Sequence, residues 1–491
     1  MLHRPIEFTL PKQTEKFCEG RLPEADIRDA VGCTKLEMLA AHSDPCKSRS
    51  HAHGLRDERN GASVYFPSET NLTPMFDYRN ATQERAREFA FSADLDQLDV
   101  SNHFLFQQDA HWPLFERLRR DDPVHYHAES RYGPFWSITS HDAIKAIEAD
   151  HHRFSSGKGI GIADNPGAES SSFIAMDPPK HDVQRATVSP VVAPPNLAQM
   201  EGLIRSHVVD ILDNLPLDVE FNWVKRVSIE LTTRMLATLF DFPFEERSKL
   251  TYWSDIAIMG PRSGYVSSWE EAAAELQKCL QYFQELFQQR LDPSHKGFDL
   301  LTLLAHNPET RDMPPGEFLG YLMLLIVGGN DTTRNSISGG VLALNWFPDQ
   351  YEKLRENPDL IPNMVAEIIR WQTPLAHMRR TALEDVEFHG KTISKGDKVV
   401  MWYVSGNRDA NVFDNADKLI IDRGNARQHV SFGFGIHRCM GNRLAEMQLR
   451  VLWEEISKRF YKVEVVGEPV RVVSNFVKGY SELPVMLHPL T

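Results

Sequence analysis

Near the C-terminal end of the 491-residue chain, Cys439 stands in the run Phe432-Gly433-Phe434-Gly435-Ile436-His437-Arg438-Cys439-Met440-Gly441, directly ahead of a helical pattern over residues 442–458. A cysteine placed there faces unpaired backbone N–H groups and the positive end of the helix dipole, which favour a metal-binding thiolate. Gly433 and Gly435 let the loop turn and approach a flat ligand, Gly441 removes bulk beside the sulfur, and Phe434 offers an aromatic cover. His437 and Arg438 add donors or cations for carboxylates on the ligand's rim. Sulfur, clearance, cover and anion partners together suit haem; a free cysteine in an ordinary glycine loop is the bland alternative.

A second stretch faces a different task. Residues 317–346 read as a long helix, apolar on most sides from Leu319 to Val327 and therefore buried, with Gly328-Gly329-Asn330-Asp331-Thr332-Thr333 at its centre. Paired glycines and threonines cost helix propensity, so something other than local stability accounts for them. The Thr332 hydroxyl, four residues after Gly328, competes for that residue's carbonyl and opens a groove. Small residues there leave room for dioxygen, Thr332 holds a water or a bound oxygen species, and Asp331 links that alcohol to solvent protons. A tolerated glycine kink with back-bonded threonines is the alternative.

Two further pairs share helix faces. In Met176-Asp177-Pro178-Pro179-Lys180-His181-Asp182-Val183-Gln184-Arg185, the prolines precede a helix that carries His181 and Arg185 four apart, a pair suited to a carboxylate such as a haem propionate. Glu367 and Arg370, three apart, form an ion pair that by itself says little, because surface pairs of this kind are common and weak.

Taken together, the F-G-x-G-x-H-x-C-x-G loop, the Gly328-Gly329-Asn330-Asp331-Thr332-Thr333 segment, Glu367-x-x-Arg370 and the Asp177-Pro-Pro-x-His181 helix resemble the cytochrome P450 monooxygenases over about residues 95–491. The resemblance implies a mainly α fold with small β-sheets, haem b between a long central helix and a C-terminal helix, and Cys439 as axial iron ligand. It implies Thr332 and Asp331 as catalytic residues, and Gly328, Gly329, Phe432, Gly433, His437 and Gly441 around the haem. His181, Arg185, Arg380 and His429 become propionate partners, and Glu367-x-x-Arg370 becomes structural. Ile160, Ile162, Leu324, Val327, Leu375 and Met378 would line an apolar pocket, so the substrate is apolar.

Within the family, residues 176–181, 377–382 and 440–450 look like the soluble bacterial terminal hydroxylases of alkanes and fatty acids. That implies ω-hydroxylation of a medium-chain substrate, with O2 and two electrons from a ferredoxin and its NADH-dependent reductase, since no flavin or iron–sulfur segment is visible. Arg438, Arg443 and Arg450 are candidate docking positions. Hydroxylation of terpenes or sterols, and a haem-thiolate sensor without turnover, are the competing readings. The acid–alcohol pair Asp331-Thr332 argues against a peroxide-using variant.

The elements that must position these residues follow from pattern. Residues 1–90, rich in His, Arg, Ser, Glu and Asp, read as a loosely ordered extension, and the monooxygenase domain as residues 91–491. Helical patterns are predicted near 197–214, 223–240, 243–258 and 268–292, and strands at 124–127 and 135–139. The Gly/Ser/Ala-rich stretch 157–173 reads as a long loop over the haem. Cys46 with His51 and His53 fits no standard zinc spacing. A formal charge of −14, from 54 Lys+Arg and 68 Asp+Glu, gives nucleic acid no global attraction. Five scattered cysteines point to a reducing compartment, with cytoplasm the default, and no apolar run is long enough to span a membrane.

Overall fold

The computed structural model describes residues 76–164 and 172–490. These belong to one compact unit, residues 61–491; a separate unit, residues 1–60, with Cys46, His51 and His53, lies outside the described residues. The architecture is helical with small sheets, as the sequence predicts. A five-stranded sheet has the order Val124–His127, Phe135–Ile138, Lys398–Met401, Met378–Ala382, Phe154–Ser155, in which Phe135–Ile138 and Lys398–Met401 run parallel and the other neighbours antiparallel. A three-stranded sheet joins Phe221–Asn222, Pro484–Pro489 and Phe460–Val465.

The organising element is the 32-residue helix Pro315–Trp346. Pro315 and Glu317 in its first turn suit the fixed φ and the positive end of a helix N-terminus, and Pro348 follows its end. Its second half packs so closely on helix Ile361–Gln372 that a Cβ on Gly340 would lie 3.0 Å from Ile368 Cδ1. Its first half is flanked by Ile229–Phe240 and Ser248–Met259, Leu236 being the nearest neighbour of Gly329. Helices Pro194–Asp213, Trp269–Arg290 and Asn442–Ser457 complete one large apolar cluster around Trp223, Phe240, Phe283, Tyr321 and Trp453.

The expected boundary at residue 90 does not hold. Helix Gln83–Ser92 crosses it, capped by Thr82, whose hydroxyl accepts from the Arg85 N–H at 3.2 Å, and it packs on helix Trp112–Asp121. Phe76, Ala81, Ala86 and Ala90 are buried there. The apolar stripe is built from alanines, which carry little hydrophobic periodicity. Residues 1–75 and 165–171 of the expected extension and loop lie outside the described residues. Among the described residues, no helix is long and apolar enough to cross a membrane.

Candidate active site

The loop before helix Asn442–Ser457 is held from several directions. The Cys439 N–H donates to the Phe432 carbonyl at 2.7 Å, Arg185 Nη2 donates to the Arg438 carbonyl at 2.5 Å, and Gly433 and Gly435 both have φ of +66°. Cys439 has an exposed surface, yet it is embedded deeply enough that desolvation by burial raises its thiol, against the Gly441 N–H and the Arg185 and Arg438 charges, which lower it. Burial thus outweighs the helix terminus and the two arginine charges, holding the thiol above its ordinary value.

The central helix is continuous through Gly328–Thr333. It is not broken there. Thr332 Oγ1 donates to the Gly328 carbonyl at 3.0 Å, and Gly328 is the one exposed position between Glu317 and Asn345. A Cβ built on Gly328 or on Gly441 would meet no atom within 4 Å, whereas one on Gly329 would strike Leu236 at 2.8 Å. Two glycines with room beside them, one on the central helix and one next to the sulfur, fit a flat prosthetic group.

The rim fits its carboxylates. Helix Lys180–Val188 sets His181 against His437 with ring centroids 4.5 Å apart. His181 Nε2 and His437 Nδ1 are buried without hydrogen-bond partners, while His181 Nδ1 contacts Asp182 at 2.7 Å and His437 Nε2 contacts Ser156 at 3.0 Å. Burial, then the Arg380, His181 and Arg185 charges, hold the His437 imidazole down to about 2. Donors and cations therefore converge where anions are required. Arg380 reaches the same place from strand Met378–Ala382 and shares Glu148, 3.4 Å away. His429 makes different contacts: its Nδ1 accepts from the Ser431 N–H at 3.2 Å and its ring packs on Phe432. Phe434 is 42% exposed, with Lys145 Nζ 5.0 Å from its ring centroid.

The expected pocket residues fall into three clusters. Ile160, Leu375 and Met378 pack together, Ile162 joins the cluster around Trp402, and Leu324 packs on the large helical core. Leu324, Gly328 and Thr332 share one face of the central helix at four-residue spacing, whereas Val327 shares the flank of Asp331. Asp331 is fully buried there, accepting from Ser254 at 2.5 Å and paired with Arg334, which bonds Asp255 at 2.7 Å. Adjacent helical residues point about 100° apart, and the Asp331 carboxylate and the Thr332 hydroxyl have different partners. Ser254, Asp255 and Arg334 had no motif to mark them.

Glu367 and Arg370 are completely buried and bidentate, at 2.7 and 2.8 Å, with Arg423 added at 3.0 Å. Arg370 also donates to the carbonyls of Asn407, Ala416 and Lys418, so the pair holds the chain leading to the cysteine loop. Of the three arginines expected to dock a redox partner, Arg438 and Arg443 are exposed, whereas Arg450 is engaged by Glu201 at 2.9 Å and Glu454 at 2.7 Å.

Comparison with known proteins agrees with this geometry. The family model "Cytochrome P450" matches residues 252–471. A linalool 8-monooxygenase from Pseudomonas putida is 37% identical over 409 residues, 80% of this chain and 100% of that protein. A methyl-branched lipid omega-hydroxylase from Mycobacterium bovis is 29% identical over 409 residues, 80% of this chain and 94% of that one. The solved cytochrome P450-153 from Novosphingobium aromaticivorans superposes with a TM-score of 0.73 at 44% identity, covering 79% of this chain and 99% of that one.

Proposed function

The chain belongs to the cytochrome P450 family of haem-b monooxygenases, and from that premise we propose that it hydroxylates the terminal methyl group of a medium-chain alkane or fatty acid. When bound, the haem supplies the iron at which dioxygen is activated for insertion of one oxygen atom into a C–H bond. Cys439 Sγ would hold its iron. His181, His437, Arg185 and Arg380 would hold its propionates, and the unpartnered nitrogens of the two histidines support this.

The Thr332 hydroxyl holds a proton directed at the Gly328 carbonyl and turns it toward the open side of the helix when an acceptor arrives there. Asp331 acts from the other flank. Complete burial raises its carboxyl, the adjoining Arg334 guanidinium opposes that rise, and Ser254 and Arg334 tie it to Asp255. Leu324, Ile160, Leu375 and Met378 exclude water and accept an alkyl chain.

The likeness of residues 176–181, 377–382 and 440–450 to alkane and fatty-acid terminal hydroxylases carries the choice of substrate, with the lipid omega-hydroxylase in support. Electrons would come from a ferredoxin and its NADH-dependent reductase, docking by Arg438 and Arg443. Incubation with octane or dodecanoic acid and a ferredoxin system should give the ω-alcohol; products oxidised only at internal carbons would reject the assignment. The 37% identity to a linalool 8-monooxygenase favours a terpene alcohol as second reading, and linalool belongs in the same substrate panel.

A further inference from the structure

Helix His141–Ala149 presents Ile144 and Ile147 to an apolar cluster, yet its next inward position is Glu148, whose side chain is 1% exposed. Three donors meet that carboxylate. The Tyr403 hydroxyl donates to Oε1, the Phe434 N–H donates to Oε2 at 3.2 Å, and Arg380 Nη2 lies 3.4 Å from Oε2. The Glu148 main chain touches the cysteine loop as well, since a Cβ on Gly435 would collide with the Glu148 carbonyl, and one on Gly433 would stand 3.5 Å from Oε2. A buried carboxylate with a full set of donors, placed where the helix otherwise packs apolar side chains, is a built feature rather than filler.

We propose that Glu148 is a positioning residue for the haem: it seats the loop that carries Cys439 and divides the Arg380 guanidinium between itself and a propionate, thereby setting the reduction potential. This rests on Cys439 as ligand and Arg380 as propionate partner. The electrostatic consequence has a definite sign. A negative charge held close to the haem opposes the arrival of an electron, and the Tyr403 hydroxyl partly neutralises that charge.

Glu148→Gln keeps the shape and an acceptor for the Phe434 N–H but removes the charge. In the haem-loaded protein its thiolate-type carbon monoxide band should persist while the reduction equilibrium shifts toward ferrous iron by about tenfold, or about 59 mV for a one-electron couple. Tyr403→Phe leaves the carboxylate less neutralised and should move the potential the opposite way. An unchanged potential in Glu148→Gln, or one that falls, overturns the proposal. If Glu148→Gln fails to hold haem, the sign in Tyr403→Phe decides: a fall supports the proposal, and a rise or no change overturns it. A wild-type protein without the thiolate band would show that the ligand assignment had failed, separately from the role of Glu148.

Discussion

Thr332 and Asp331 are neighbours in the chain and diverge in space: the Thr332 hydroxyl bonds the Gly328 carbonyl one turn back, while the Asp331 carboxylate is locked into Ser254 and Arg334 on another flank. An alcohol and an acid that do not touch have separable roles, and each can be removed alone.

Thr332→Ala removes the hydroxyl and leaves the buried Asp331–Arg334 pair intact. Substrate binding, read from the spin-state shift, should be unchanged, whereas hydroxylated product per NADH falls toward the ~10²-fold loss expected for a missing positioned proton donor, with hydrogen peroxide in its place. Full coupling in this variant would remove Thr332 from proton delivery.

Cys439→Ala should fold, because the loop is held by backbone and side-chain contacts that do not involve the sulfur. Its reduced carbon monoxide complex should lose the thiolate-type band altogether. Retention of that band would end the ligand assignment.

Arg443 and Arg450 differ in their ion pairs, which gives the proposed ferredoxin docking a matched test. Arg443 is exposed without an ion pair among the described residues, so Arg443→Glu should slow reduction by ferredoxin, most at low ionic strength, where charge steering is least screened. Arg450 already faces Glu201 and Glu454, and Arg450→Gln should leave the reduction rate near wild type. Equal rates for Arg443→Glu and the wild type across a salt series would place docking elsewhere.

Acid sensitivity of the haem-free protein follows from its buried histidines. Burial first, with the charges of neighbouring arginines and histidines where present, holds His437 at about 2, His127 and His429 at about 3 and His377 at about 4. Between the ordinary value near 6.5 and these depressed ones, the unfolded chain binds protons that the native one does not. Stability is therefore fully present above about pH 6.5 and is lost as pH falls, by up to about 1.4 kcal/mol per histidine per pH unit. Urea midpoints at pH 7, 6 and 5 should decrease in that order; a flat series would show that these imidazoles titrate normally.

Arrangements of residues close in sequence were legible in advance. The cysteine loop, the His181–Arg185 face and the Gly328–Thr332 spacing all lie within a few residues of one another, so local geometry constrains them. Relations between distant segments were not. Nothing in the pattern marks Glu148 as the partner of Tyr403, Arg380 and Phe434, or Glu201 as the partner that engages Arg450. The Asp331 flank depends on which helix supplies Ser254, and that is settled only by packing. The early helix Gln83–Ser92 escaped notice because its buried face is made of alanines.

The parallel pairing of Trp136 with Val399 has a consequence for how the molecule comes together. Glu148 and His181 arrive soon after one of these strands, and Tyr403 and Cys439 soon after the other, so the prosthetic group's seat has no complete version in either half of the chain. Closing so long a loop is entropically slow, and strand pairing of this kind forms late in folding. A nascent chain should therefore gain the capacity to capture haem only once the segment through Cys439 has been made, and the piece 252–471, though it carries the cysteine, should not retain the pigment on its own.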